Sequence, residues 1–172
     1  MLGPTMGGSE QVVCIVGAGP AGTSAAQTLA AADLAVEVFD EQARPGGNIH
    51  RRRLDAPASP LETLAAARSG VTLHLGRAVL GVASDLTVES ARDEGIERRR
   101  FDAVLLCTGA YDTYEPLPGT PAPGVSTAGA LQALLKGQNV VPRGRVVIAG
   151  SGPFLYIVAS GLIEAGAKVT AL

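Results

Sequence analysis

The residues best placed to do chemistry are Gly17-Ala18-Gly19-Pro20-Ala21-Gly22, three glycines in G-x-G-x-x-G spacing directly after the apolar run Val12–Val16. Each glycine has a distinct task in holding a pyrophosphate. The first permits a tight turn, the second lets backbone approach the phosphates, and the third lets the following helix pack closely on the strand. Unpaired N–H groups and the macrodipole at the start of that helix favour the anion. The acidic residue that such a site needs follows at the right distance: Asp40 lies 23 positions beyond Gly17. Its carboxylate can accept hydrogen bonds from both ribose hydroxyls of an adenosine, and Glu41 is a near competitor.

These residues require a strand, a helix and a second strand around them. Residues 12–16 form a short apolar run suited to a parallel strand buried on both faces. Residues 21–32 are rich in alanine and leucine without an internal proline, which predicts a helix. Residues 35–39 form the second strand and complete a βαβ unit. The expected class is α/β, a Rossmann-like dinucleotide-binding domain over residues 12–115, preceded by a flexible leader at 1–11.

Beyond it, residues 44–60 are rich in Pro, Gly and Arg and read as a long loop beside the ligand. Residues 61–69 predict a short helix. Runs at 71–75, 78–83, 86–90 and 97–101, with a turn at 93–95, predict a small β insertion over about 71–101. The apolar run 103–107 returns to the parallel sheet and closes at Thr108 and Gly109. A linker at 115–124 and a helix at 128–135 occupy the stretch 116–145.

A second copy of the opening pattern spans 146–172: strand 146–149, turn Gly150-Ser151-Gly152, helix 154–165 and strand 168–172. Two strands leave sheet faces and edges bare, so this second dinucleotide-binding unit is expected to be incomplete, its surface belonging to a longer protein or a partner. Gly150 and Gly152 stand where a second nucleotide would turn. Leu155 stands where a third small residue would allow close helix packing, which weakens the case for a nicotinamide; two readings stay open, NAD(P) or another adenine nucleotide at this turn, or a purely architectural copy.

Composition narrows the partners. A formal net charge of −2 gives no basic field for nucleic acid. No apolar run reaches bilayer length. Cys14 and Cys107, the only two cysteines, have no C-x-x-C spacing and read as core residues on neighbouring strands of a protein in a reducing cytoplasm, with any membrane association left to partners. His50 and His74 stand at no metal-ligand spacing. The triplets Arg51 to Arg53 and Arg98 to Arg100 read as surface features, the second along a solvated strand edge. Tyr111 and Asp112 follow the Thr108-Gly109 turn as either cavity or linker residues.

The segment 12–49, with its GAGPAG loop, acidic strand end and RPGGNI, resembles the FAD-binding half of the pyridine nucleotide-disulfide oxidoreductase superfamily. CTGAYDTYEPLPG, PGVSTAGALQALLKGQ and VVIAGSGPFL resemble more narrowly the flavoprotein subunits of the group of opine oxidase, hydrogen cyanide synthase and D-hydroxyproline dehydrogenase. The resemblance implies FAD as cofactor, a small amine-type or imino-acid substrate, and other subunits of a hetero-oligomeric dehydrogenase as partners. By position it implies cofactor contacts from Gly17, Gly19, Pro20, Ala21, Gly22, Asp40 or Glu41, Gly46, Gly47 and Asn48, from Val79 at the adenine, and from Thr108, Gly109 and Ala110 at a second flavin-proximal turn. Asn48 stands where the narrower group often has glutamine, and His50 where it often has tyrosine. The superfamily's redox-active cysteine pair is absent. Two other readings stay open: part of an NAD(P)H-dependent flavin reductase, or a non-catalytic nucleotide-binding subunit.

Overall fold

A computed structural model of the chain describes residues 11–67, 70–92, 95–113 and 116–172. Residues 1–10 of the expected leader, residues 68–69 of the expected helix 61–69, residues 93–94 of the expected turn and residue 115 at the start of the expected linker lie outside the described residues. The chain divides into two compact units. The first runs to His50 and resumes over Pro57–Gly109, and the second takes Arg51–Ala56 and Ala110–Leu172.

The first unit opens as the sequence predicts, with β1 (Val12–Val16), α1 (Pro20–Ala30) and β2 (Ala35–Asp40). After α2 (Pro60–Ala66) comes β3 (Val71–Leu75), then β4 (Val79–Val82), β5 (Thr87–Arg92), β6 (Gly95–Arg100) and β7 (Ala103–Leu106). One sheet has the order β3-β2-β1-β7, with every pairing parallel. A second sheet is antiparallel, in the order β4-β5-β6.

One expectation about these strands is corrected. Residues 71–75 belong to the main sheet rather than to the β insertion: β3 pairs with β2 from Val36↔Val71 to Asp40↔Leu75. The reason lies in the connection. A helix, α2, stands between β2 and β3, and a crossover of that kind returns the chain parallel to its predecessor. The insertion is therefore the three strands from Val79 to Arg100.

Period-2 alternation gives the parallel sheet two buried faces. Ile15, Val36 and Val38 face the helices and pack with Ala26 of α1, Leu61 of α2 and Val71. Cys14, Val16 and Phe39 face the other way and pack with Val88 and Phe101 under the antiparallel sheet. At 25 cal/mol per Å² of buried apolar surface, each large side chain here contributes roughly 1.5–3 kcal/mol. Both faces are covered, which is why β1 reads as an unbroken apolar run and β2 is broken only by Glu37 before its terminal Asp40.

The second unit contains α3 (Ala128–Gln138), β8 (Arg145–Val147), α4 (Phe154–Glu164) and β9 (Lys168–Ala171), with β8 and β9 parallel. Helix α3 starts on Thr127, whose side chain accepts the N–H of Ala130. It continues three residues past the expected Leu135 and stops at Asn139, which adopts the left-handed conformation (φ 56°). Gly137 does not end it, because glycine inside a helix only costs about 1 kcal/mol, whereas a left-handed residue terminates it. Ile148, Val158, Ala159, Leu162 and Ala167 form the core of this unit. Val147 on β8 and Tyr156, Ile157 and Ile163 on α4 are exposed.

Candidate dinucleotide-binding site

The three glycines of the first turn are required for different reasons. Gly17 has φ +104° and donates its N–H to the carbonyl of Phe39 (2.7 Å), so the end of β1 is tied to β2. A Cβ there would overlap the carbonyl of Cys107, just past β7. A Cβ on Gly22 would overlap the carbonyl oxygen of Gly17 and stand 3.3 Å from the Ile15 side chain. Both positions are glycine because the chain itself leaves no room.

Gly19 is another matter. Its backbone is extended (φ −71°, ψ −172°), a conformation open to any residue. Among the described residues, a Cβ would meet only the Cα of Gly47, at an ordinary 3.7 Å. Gly19 is also the N-cap of α1, where it offers no side-chain acceptor, and the first turn carries no acidic residue. Pro20 and Ala21 follow it, both exposed. Among the described residues, no side chain caps the N–H groups at this helix start, and only Gly47 comes within 4 Å of where a Cβ on Gly19 would be.

Asp40, at the end of β2, turns towards this loop. Its Oδ2 accepts the N–H of Ala18 (2.6 Å) and its Oδ1 accepts the N–H of Gln42 (2.7 Å). Each oxygen keeps a lone pair for a further donor. Glu41 points elsewhere: it is exposed, and its carboxylate accepts from the amide of Gln42 (3.2 Å).

A second turn lies against the first. Gly46 (φ +134°) donates its N–H to the carbonyl of Ala18 (2.9 Å), and a Cβ on Gly47 (φ +57°) would stand 3.0 Å from the Cα of Gly19. Asn48 and His50 are exposed, and the N–H of His50 bonds the carbonyl of Gly46 (2.9 Å). The chain leaving β3 is held to the end of β2 by two bonds, from the N–H of Arg77 to the carbonyl of Asp40 (2.9 Å) and from Gly76 to Gln42 (3.0 Å). Val79, which opens β4, follows and is half-buried against the Cys14 cluster. Thr108 and Gly109 close β7; Gly109 has φ +76° and open space where a Cβ would be. Ala110 is exposed and falls in the second unit.

The second glycine turn differs. Gly150 and Gly152 have φ +157° and +97°, but both Cδ carbons of Leu155 stand 3.4 Å from where a Cβ on Gly150 would be. A leucine side chain covers a face that stays bare at Gly19. In the same unit, Asp112 serves α3 as a cap: its Oδ2 accepts the N–H of Gly129 (2.6 Å), while Tyr111 is exposed.

Two polar arrangements escape a reading of the sequence. Glu37, buried on β2, holds the guanidinium of Arg99 through both oxygens (2.6 and 2.8 Å) and the Nε2 of His74 at 2.9 Å. His74 stacks on Phe39 (4.3 Å), and Arg99 lies 5.2 Å over the ring of Phe101. Arg99 of the second arginine triplet stays 46% exposed on edge strand β6 while its guanidinium reaches the buried carboxylate. Arg98 pairs with Glu89 and Arg100 bonds the carbonyl of Asp85, whereas Arg99, on the opposite face of β6, turns inward. Burial, with the Glu37 charge nearby, pushes the Cys14 thiol up to about 12, and burial also raises Cys107. Neither is a thiolate nucleophile.

The other arrangement joins Arg44 to Glu62 of α2 through two bonds, at 2.9 and 3.2 Å. Ser59 and Glu62 form a capping box, legible in the sequence as S-x-x-E. The Arg44 contact, 18 residues from Glu62, leaves no such signature. The guanidinium, with help from Ser59, holds the Glu62 carboxyl at about 2. No group of three or more potential metal ligands occurs among the described residues. No helix among them is long and apolar enough to cross a membrane.

Comparison with known proteins agrees with this geometry. Residues 11–172 match the family model described as pyridine nucleotide-disulphide oxidoreductase. The A subunit of opine oxidase from Agrobacterium tumefaciens (strain Ach5) is 38% identical over 88% of this chain and 34% of its own length. The HcnB subunit of hydrogen cyanide synthase from Pseudomonas aeruginosa is 36% identical over 90% of this chain and 36% of its own. The chain thus spans about a third of the length of these relatives. The crystal structure of L-proline dehydrogenase from P. horikoshii superposes with a TM-score of 0.75 over 95% of this chain and 37% of that one, at 22% identity, a likeness of fold. With a Rossmann-like parallel sheet, a glycine turn at its switch into α1 and a family match along its described length, this chain belongs to the pyridine nucleotide-disulphide oxidoreductase family.

Proposed function

We propose that this chain is the FAD-binding part of a flavoprotein dehydrogenase that oxidises a small amine, imino acid or opine and works with further subunits. The observation that carries the proposal is Gly19. It is a glycine with no steric or conformational need among the described residues, set at a helix start without a side-chain cap and faced by Gly47. A pyrophosphate lying there supplies the missing reason, because a side chain would hold its oxygens away from the N–H groups.

The residues fit the cofactor. In this reading the N–H groups of the α1 start bind the pyrophosphate, and Asp40 accepts from the ribose while fixing the turn through Ala18. The backbone around Val79 borders the adenine. Gly46, Gly47 and Asn48 border the flavin side, with Thr108 and Gly109 at the end of β7 beside them. Bound FAD supplies the two-electron chemistry; the protein supplies binding, orientation and polarity. Exposed His50 is no better placed as a base than any loop histidine, and the acid-base group is left to the rest of the protein or a partner.

The substrate class is taken from the names of the relatives, opine oxidase and hydrogen cyanide synthase, and the partner subunits from the same source. A nicotinamide nucleotide at Gly150 and Gly152 is the rival reading, and the leucine against Gly150 speaks for architecture there. The test is anaerobic bleaching of the flavin-loaded full-length protein with its partner subunits. Bleaching by an opine or cyclic secondary amine, and not by NADH or NADPH, is the expected result. Bleaching by the nicotinamides alone reverses the assignment, and bound flavin with no turnover makes the chain a structural nucleotide carrier.

A further inference from the structure

We propose that the Arg44–Glu62 pair is a positioning latch that sets the Gly46-Gly47 turn at the distance from Gly19 that FAD requires; the inference rests on the flavin reading above. Gly46 and Gly47 have no side chains, so they cannot anchor themselves. The Gly46 N–H ties the turn to the Ala18 carbonyl of the first glycine loop (2.9 Å). On the other side stands Pro45, fully buried and fixed in φ, and before it Arg44. A displacement of Arg44 therefore passes through a stiff residue into the turn.

Arg44 makes three hydrogen bonds to two partners. Its Nη2 and Nε reach the two oxygens of Glu62, and its Nη2 also reaches the carbonyl of Pro57 (3.0 Å). The side chains of the pair are only 12% and 23% exposed, so the contact is stiffer than a surface ion pair. Glu62 is itself immobilised: one oxygen accepts the Ser59 N–H (2.6 Å), and Leu61 beside it is fully buried against the sheet. The chain of contacts runs from the core through α2, Glu62, Arg44 and Pro45 to Gly46. What it controls is a close approach, since a Cβ on Gly47 would be 3.0 Å from Gly19.

Glu62→Gln separates the latch from the helix cap, because glutamine also serves in a capping box but cannot pair as an anion with arginine. Arg44→Met removes the latch from the other side, and Arg44→Lys keeps the charge without the two-pronged geometry. FAD is titrated by quenching of its own fluorescence into the full-length protein, and amide hydrogen exchange of the 46–50 segment is followed without flavin. The latch predicts an FAD Kd raised about fivefold to tenfold in E62Q and R44M, less in R44K, and no further in the double variant than in the weaker single one. It also predicts faster exchange at Gly46 with β1 and β2 unchanged. Lowered melting temperatures with unchanged Kd and unchanged Gly46 exchange make the pair a stability element only and overturn the latch. A wild-type protein that takes up no FAD overturns the flavin reading instead, and the exchange measurement then still decides whether the pair fixes the turn.

Discussion

Replacing Gly19 with alanine separates the needs of the fold from those of the ligand. Three terms set the outcome. Alanine restricts the unfolded chain and fits φ −71°, which stabilises by about 0.4–1 kcal/mol. Alanine is a poorer N-cap than glycine, which costs about 0.5–1 kcal/mol. Among the described residues the new methyl meets only Gly47, at 3.7 Å, so packing adds almost nothing. The first two terms offset each other, and the stability of the flavin-free protein should stay within about 1 kcal/mol of wild type. Binding should behave differently. A methyl between the helix start and the pyrophosphate removes one or two charge-assisted hydrogen bonds at about 1.5–3 kcal/mol each, which weakens FAD at least about tenfold. Thermal melts of the flavin-free protein and a fluorescence titration with FAD read the two quantities separately. Gly22→Ala is the control, since its Cβ overlaps the Gly17 carbonyl and must lower stability by several kcal/mol. Should G19A bind FAD within twofold of wild type, or melt as early as G22A, the reasoning fails.

Other perturbations have equally definite outcomes. Asp40→Asn leaves one acceptor for the N–H groups of Ala18 and Gln42, so both stability and FAD affinity should fall, stability by about 1–2 kcal/mol in a denaturant titration. An unchanged midpoint would remove Asp40 from its role in shaping the turn. Glu37→Gln strips Arg99 and His74 of their shared anion; with Arg99 46% exposed, about 1–3 kcal/mol should be lost without a change in FAD Kd. Loss of flavin without loss of stability would contradict that separation. The Glu62 carboxyl is held at about 2 against a usual 4.5, so its folded form is the stronger acid. Its stabilisation is complete above about pH 4.5 and drains away as the pH falls towards 2. The shift corresponds to about 3 kcal/mol, reduced to about 1–2 by the pair's partial contact with water. Acid titration of stability should show a shallower slope across that window in E62Q, and parallel curves would refute the assignment.

Much of the first unit could be foreseen because its signals are local. Val12–Val16 is apolar throughout and Ala35–Phe39 at every position but Glu37, and the G-x-G-x-x-G spacing marks the turn between strand and helix. What escaped detection was pairing at a distance. A five-residue run such as Val71–Leu75 carries no mark of which sheet it joins; only the helix before it does. Arg99 sits between two outward arginines and differs from them by strand parity, but its partner Glu37 lies 62 residues away on another sheet. Glu37 itself looks like a polar interruption in a strand until the cation above it is seen. Asp40 and Glu41 are equivalent by spacing, and only the backbone path at the end of β2 turns the first towards the loop. Spacing already gives Gly17, Gly19 and Gly22 different tasks, and the surrounding atoms add that Gly17 and Gly22 are required by the packing of the chain itself, whereas among the described residues Gly19 meets only Gly47.

The most direct test of the account is the visible spectrum of folded full-length protein after incubation with excess FAD and removal of unbound flavin. A yellow protein with about one flavin per chain, released as free FAD by mild acid, is the predicted result. Colourless protein that is demonstrably folded would contradict the assignment of the Gly17–Gly22 turn as a pyrophosphate site.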